Sequence, residues 1–252
     1  MKSNGVAILG TASNVGKSTI ASAIMRYYAN RKFDVVPFKA LNITNNLGYS
    51  KDSLIMAKSQ IIQAQACKKN ADVNYNPLLI RPTSTTMELY FKGVKKDSKL
   101  DYDLLSECVN CYQELASKHD LVVVEGSGSC AEINLDNKDL ANFPLINEIK
   151  IPVILVASIE DGGIFANIYG TLALLSKDEQ MQVKGIIINK FKGDLNYFNQ
   201  GKEMLEKLIG KPVIAVLPYI ENELSLDEIS EKFVENCNME ILNNIVKGVS
   251  DV

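Results

Sequence analysis

A lysine set between a glycine and two hydroxyl residues, Gly16-Lys17-Ser18-Thr19, follows the apolar run Val6-Ala-Ile-Leu9 and the small-residue loop Gly10-Thr-Ala-Ser-Asn-Val15, and opens a helical pattern. Strand, glycine-bounded loop and helix, in that order, are the setting in which Gly-Lys-Ser binds phosphate. Backbone N–H groups of the loop and of the helix start are expected to point at phosphate oxygens, with the helix dipole adding to their pull. Lys17 is expected to neutralise β- and γ-phosphates as a point charge, and Ser18 to place its hydroxyl on magnesium. The segment reads as a cradle for the triphosphate of ATP with magnesium, formed by Thr11, Asn14, Val15, Gly16, Lys17, Ser18 and Thr19. The spacing departs from the usual one: five residues rather than four separate Gly10 from Gly16, so Thr11 stands where the first glycine is expected.

Two more charged residues sit where such a site needs them. Leu121-Val-Val-Val124 runs directly into Glu125-Gly-Ser-Gly128, and Val35-Val-Pro-Phe38 runs into Lys39. Both therefore fall at the carboxyl ends of apolar strands, where ligands of open α/β sheets collect. Glu125 is expected to serve as a magnesium ligand or a water-orienting group opposite Ser18, and Lys39 to face the same crevice.

The elements that must position these residues are legible as alternation. Apolar, β-branched runs at Val6–Leu9, Val35–Phe38, Leu121–Val124, Val153–Val156, Gly185–Ile188 and Val213–Leu217 predict strands covered on both faces. Amphipathic stretches at Ser18–Arg31, Leu54–Lys69, Tyr102–Lys118, Phe165–Leu175 and Phe198–Gly210 predict the helices between them. The fold class expected is α/β: a doubly wound, mostly parallel, P-loop NTPase-like sheet. Between residues 70 and 100 the pattern breaks at Asn76-Pro77, Arg81-Pro82, the Ser/Thr cluster 83–86 and Lys92-Gly93, which predicts an irregular insertion with a short edge strand. We expect one domain over residues 1–252, with 228–252 as a C-terminal helical tail.

Bulk properties narrow the function. A net charge of −3 and a pI near 5.4 do not favour nucleic acid or an anionic membrane as a partner. No apolar run approaches the ~20 residues that span a bilayer, and the N-terminus lacks the pattern of a signal peptide, so a cytoplasmic location is expected. Five scattered cysteines argue for reduced thiols, and Cys108-Val-Asn-Cys111 has no second pair to complete a zinc site. The single histidine, His119, closes a helix and has no cysteine nucleophile to serve.

The chain also resembles a family, the ATP-dependent synthetase domain of cobyric acid synthase, with dethiobiotin synthetase a more distant relative. The similarity extends from Gly10 to about Leu226. It rests on Phe38-Lys-Ala-Leu-Asn42, Gln60-Ile-Ile-Gln-Ala64, Asn76-Pro-Leu-Leu-Ile-Arg-Pro-Thr-Ser84, Glu125-Gly-Ser-Gly-Ser129, Ala131-Glu-Ile-Asn-Leu135, Gly162-Gly-Ile-Phe-Ala166, Tyr169-Gly-Thr-Leu-Ala-Leu-Leu175, Ile188-Asn-Lys-Phe-Lys-Gly-Asp194 and Leu217-Pro-Tyr219. The resemblance implies an ATP- and magnesium-dependent amidoligase of cobalamin biosynthesis, which phosphorylates a small-molecule carboxylate that ammonia then converts to an amide. It implies Lys17, Lys39 and Glu125 as catalytic residues and an adenine contact for Asn189. It also gives Asn42, Gln60, Ser84 and Glu132 as substrate positions, any of which a structural role would equally explain.

Departures from the family are specific. Full-length relatives continue into a glutaminase domain; here the sequence stops where that domain would begin, so a separate glutaminase partner is expected. Relatives with this domain often pair, which leaves a homodimer as an expectation without independent signal. Where the family carries an acid, this chain has Ile55, and Asp52 is the carboxylate near enough in sequence to replace it as a metal ligand. Asp161, in Ser158-Ile-Glu-Asp-Gly-Gly163, replaces a family arginine. Two alternatives therefore stay open: an ATP-dependent carboxylase and cyclo-ligase of the dethiobiotin synthetase kind, and a nucleotide-binding regulatory protein that has lost catalysis.

Overall fold

The computed structural model describes residues 4–96, 103–135 and 139–247. Along the chain run β1 (Gly5–Gly10), α1 (Lys17–Asn30), β2 (Val35–Phe38), β3 (Leu41–Ile43), β4 (Leu47–Tyr49), β5 (Ile55–Ala57) and α2 (Lys58–Ala66). Then come β6 (Leu78–Pro82), β7 (Met87–Phe91), β8 (Val94–Lys96), α3 (Leu104–Lys118), β9 (Leu121–Glu125), α4 (Phe143–Ile149), β10 (Val153–Ser158) and α5 (Ile164–Leu174). The chain closes with α6 (Lys177–Gln182), β11 (Val183–Phe191), α7 (Asn199–Ile209), β12 (Val213–Pro218), α8 (Leu226–Glu235) and α9 (Met239–Lys247).

The main sheet has the order β12-β11-β10-β1-β9-β2, and every pairing in it is parallel. Its strands are buried on both faces because successive side chains point oppositely. Val6 and Ile8 pack with α1, α8 and α9 through Ile20, Ile24, Phe233 and Leu242. Ala7 and Leu9 pack on the opposite side with α3, α4 and α5, through residues such as Tyr112, Leu145 and Ile168. From β1 the chain fills one side of the sheet with β2 and β9, then crosses to β10, β11 and β12. The reversal at β1 and β10 makes the crevice outside the carboxyl ends of those strands the natural ligand site.

Three expectations need correction or completion. The helix expected over Leu54–Lys69 begins at Lys58, because Ile55–Ala57 pairs antiparallel with Leu47–Tyr49; a short apolar run does not by itself distinguish strand from helix. Residues 70–96 hold more order than an insertion with one edge strand: β6, β7 and β8 join β3 in a second, four-stranded sheet. Lys92 and Gly93, both at positive φ (47° and 75°), turn β7 into β8 as a two-residue hairpin. The C-terminal helices are part of the core, with Phe233 and Leu242 buried against α1 and the sheet. Tyr102, at the start of the expected third helix, and the last residues of the expected tail, 248–252, lie outside the described residues.

Among the described residues, no helix is long and apolar enough to cross a membrane. Cys108 and Cys111 are buried free thiols in α3, and burial pushes the Cys108 thiol up to about 12. His119 caps the end of α3 with its Nδ1 2.8 Å from Asp34 Oδ2.

Candidate active site

Strand register brings the charged residues together. Ile8 of β1 lies opposite Glu125 of β9, and Phe38 of β2 lies opposite Val124, so Lys39 emerges level with Glu125. The loops leaving these strands are pinned to β1 and β10: Gly126 N–H donates to Ile8 O, Cys130 N–H to Gly10 O and Thr11 N–H to Val156 O. Glu125, Lys39 and the phosphate loop thus share one end of the sheet.

The loop 11–16 turns through positive φ at Asn14 (60°) and Gly16 (98°) before α1 begins at Lys17. Asn189, from the far part of β11, donates Nδ2 to Val15 O at 2.9 Å and so holds the last turn of the loop. A Cβ at Gly16 would meet that Nδ2 at 2.1 Å, and the backbone there is left-handed, so only glycine fits. Helix α1 starts with no side-chain cap and no acid in its first turn, while α6 and α8 each have a capping box. Its first amides and dipole are left to an external anion.

Lys17 is 7% exposed and donates to Ala12 O at 2.8 Å and Gly128 O at 2.7 Å, tying the phosphate loop to the loop after β9. Burial lowers its pKa, against the opposing pull of the Glu125 carboxylate. Glu125, 1% exposed, takes three donors: Ser18 Oγ at 2.7 Å and Lys39 Nζ at 2.8 Å on Oε1, and Gln63 Nε2 on Oε2. Isolated, so buried a carboxylate would carry a large desolvation penalty; paired with a buried lysine and two neutral donors it is held in one orientation.

The remaining site residues divide. Asn42 and Gln60 are buried, and Asn42 Nδ2, both amide atoms of Gln60 and Gln63 Oε1 have no hydrogen-bond partner. Each such atom costs about 1–3 kcal/mol when left alone, so each calls for a polar partner. Glu132 lies exposed on the loop after β9, where its Oε1 accepts from Ser129 N–H at 3.0 Å. Ser84 is exposed in the β6–β7 turn. Asp52 is exposed in the turn between β4 and β5. The hairpin that absorbs Ile55 turns this neighbouring acid toward solvent. Asp161 is exposed before α5, while Glu160 beside it binds Lys190 Nζ at 2.7 Å and Lys192 Nζ at 3.3 Å. The Lys190 hydrogen bond, more than any other influence, lowers the Glu160 pKa.

Two further residues organise the site without a clear signal in the sequence. Gln63 was present in the stretch Gln60-Ile-Ile-Gln-Ala64 but nothing local marked it as the third donor to Glu125. Asn142 organises the loop after β9, accepting from Ser127 N–H at 3.2 Å and donating to Ser127 O at 2.7 Å; only its position just before α4 hinted at it.

Among the described residues, no three His, Cys, Asp or Glu side chains form a metal cage. Magnesium is usually held by one or two carboxylates together with substrate phosphates, and two cis oxygens of its octahedron lie about 2.9 Å apart. Ser18 Oγ and Glu125 Oε1, 2.7 Å apart beside the phosphate loop, fit that requirement. Beside them, Thr19, Ile20, Asn189, Leu217, Pro218 and Phe233 line a shallow, open recess, apolar apart from Thr19, Asn189 and the rim Lys232.

Comparison with known proteins bears on the family and the fold. The model of the AAA domain family matches residues 4–223. A cobyric acid synthase of Chlorobium phaeobacteroides (strain BS1) is 43% identical over 222 residues, covering 85% of this chain and 45% of the relative. One from Clostridium botulinum (strain Alaska E43 / Type E3) is 40% identical over 254 residues, covering 96% and 50%. The chain thus spans about half the length of the curated relatives it matches. Among solved structures, the signal recognition particle receptor FtsY from Elizabethkingia anophelis aligns with a TM-score of 0.52 at 14% identity, over 92% of this chain and 65% of that one. Its complex with GDP gives 0.54 at 14% identity, over 92% and 64%. These neighbours share the fold, a P-loop doubly wound sheet. On its sequence from Asn4 to Glu223 and its likeness to the curated synthases, the chain belongs to the AAA domain family, in the group of the cobyric acid synthases.

Proposed function

We propose that this chain is the synthetase unit of an ATP-dependent amide-forming ligase, acting on a carboxylate of a cobalamin precursor as its relatives' name suggests. The observation that carries the reading is the convergence of Lys17, Ser18, Lys39 and Glu125 on the mouth of an uncapped helix. In this reading the nucleotide's terminal phosphates replace the Ala12 and Gly128 carbonyls as partners of Lys17. The adenine lies in the recess beside Asn189. Lys39 faces the transferring phosphoryl group, so the equatorial oxygens meet positive charge from two lysines. Magnesium, held by Ser18 and Glu125, supplies further charge neutralisation when bound.

A substrate carboxylate oxygen bonds the γ-phosphorus as the bond to ADP breaks, giving an acyl phosphate. Ammonia then displaces inorganic phosphate and loses a proton, leaving the amide. Because a carboxylate carries no good leaving group of its own, phosphorylation supplies one, and the protein's contribution is positioning and electrostatics. Asn42 lies on β3, three residues after Lys39, and Gln60 lies on α2 with Gln63, which supports a role for their buried amides on the acceptor side.

The test is ADP formation by purified protein with magnesium, ATP and ammonia, measured with cobyrinic acid diamide and, separately, with diaminopelargonic acid and bicarbonate. Carboxylate-dependent turnover with the first supports the ligase. Turnover only with the second would move the protein to the dethiobiotin synthetase kind of chemistry. ATP binding without turnover on either would leave a regulatory nucleotide-binding protein.

A further inference from the structure

Glu125 takes its third donor from outside the strand ends that mark the site. Gln63 projects from α2, is 1% exposed, and gives its Nε2 to Oε2, the one oxygen that neither Ser18 nor Lys39 touches. The terminal torsion of a glutamate is broad and nearly two-fold, so a carboxylate held at one oxygen only is free to swing. With Oε2 held, Oε1 stays aimed at Ser18 Oγ. Gln63 has no competing bond to pull it away, because its Oε1 has no partner.

We propose that Gln63 is a positioning residue for the metal and phosphate side of the site, acting through Glu125, an inference that rests on the nucleotide reading above. It touches neither nucleotide nor metal; it fixes the carboxylate that Ser18 shares. Outer partners of this kind typically change metal affinity or activity by about 10–100-fold when removed.

Gln63→Met deletes the donor at nearly constant side-chain length, and Gln63→Asn withdraws it by one methylene, serving the same measurement where the methionine variant is unstable. The readout is ATP affinity by calorimetry across a magnesium titration, with melting temperature recorded in parallel. We expect ATP affinity without magnesium to stay within about twofold of the parent, while the magnesium concentration for half-maximal effect rises at least about tenfold. In a Glu125→Gln background the Gln63 substitution should add less than twofold, because its effect runs through the missing carboxylate. An unchanged magnesium midpoint in a folded Gln63 variant, or two substitutions whose effects multiply, overturns the inference while leaving the nucleotide reading intact. A parent protein whose ATP affinity ignores magnesium overturns both.

Discussion

Replacing Lys39 by methionine asks whether its contact with Glu125 is a working ion pair. The two charges meet at 2.8 Å with side chains 10% and 2% exposed, so solvent screening is slight. Removing one partner of a buried pair costs about 3–5 kcal/mol, mainly because the other charge is left without compensation. Here Glu125 keeps Ser18 and Gln63 as donors, which places the expected loss at the lower end, about 3 kcal/mol. In a protein of this size each kcal/mol moves Tm by about 2–4 °C, so Lys39→Met should melt about 6–12 °C below the parent. Adding Glu125→Gln removes the orphaned charge and should recover about 2 kcal/mol, a non-additivity that only a coupled pair produces. Urea unfolding of parent, both single variants and the double variant closes the cycle. A loss under about 0.5 kcal/mol for Lys39→Met, or strictly additive losses, would refute the pairing.

Other consequences are equally concrete. Gly16→Ala sets a Cβ 2.1 Å from Asn189 Nδ2 at a φ of 98°, and should cost about 2 kcal/mol in urea unfolding and displace the loop; unaltered stability and ATP affinity would contradict that geometry. Since Asn189 Nδ2 is engaged with Val15 O, Oδ1 is the atom left for a base, an acceptor suited to the 6-amino group of adenine and opposed to the 6-oxo group of guanine. ATP should bind about tenfold tighter than GTP, and equal affinities in competition titrations would rule out this contact. Burial lowers the Lys17 pKa in the free protein, and phosphate anions would raise it again. Proton uptake should therefore accompany ATP binding on the alkaline side, with affinity falling as pH rises through the lowered free-state value. Calorimetry in buffers of different ionisation enthalpy reads this directly, and proton release there would reverse the sign.

The phosphate loop was legible because strand, glycines, lysine and serine are contiguous in sequence. Glu125 and Lys39 were legible because each directly follows an apolar strand, and parallel register then sets them level. Gln63 was not, since its contact with Glu125 depends on how α2 docks against α1 and β2, which no local pattern encodes. Nor does the sequence show that Ile55 opens the second strand of a hairpin whose turn carries Asp52 exposed. The second sheet was read as irregular because its strands of three to five residues are interrupted by Pro77, Pro82 and a threonine-rich turn. Its order comes from pairing across that turn, where Thr83 N–H bonds Thr86 O, and from Gly93 packing on Leu54.

Calorimetric titration of Mg-ATP into the parent and into Lys17→Ala tests the central claim most directly. Saturable binding to the parent is expected, with affinity reduced at least tenfold in a variant whose melting temperature stays close to the parent's. Equal affinity in the two proteins, or no binding to either, would contradict the assignment of this loop as the seat of the nucleotide's phosphates.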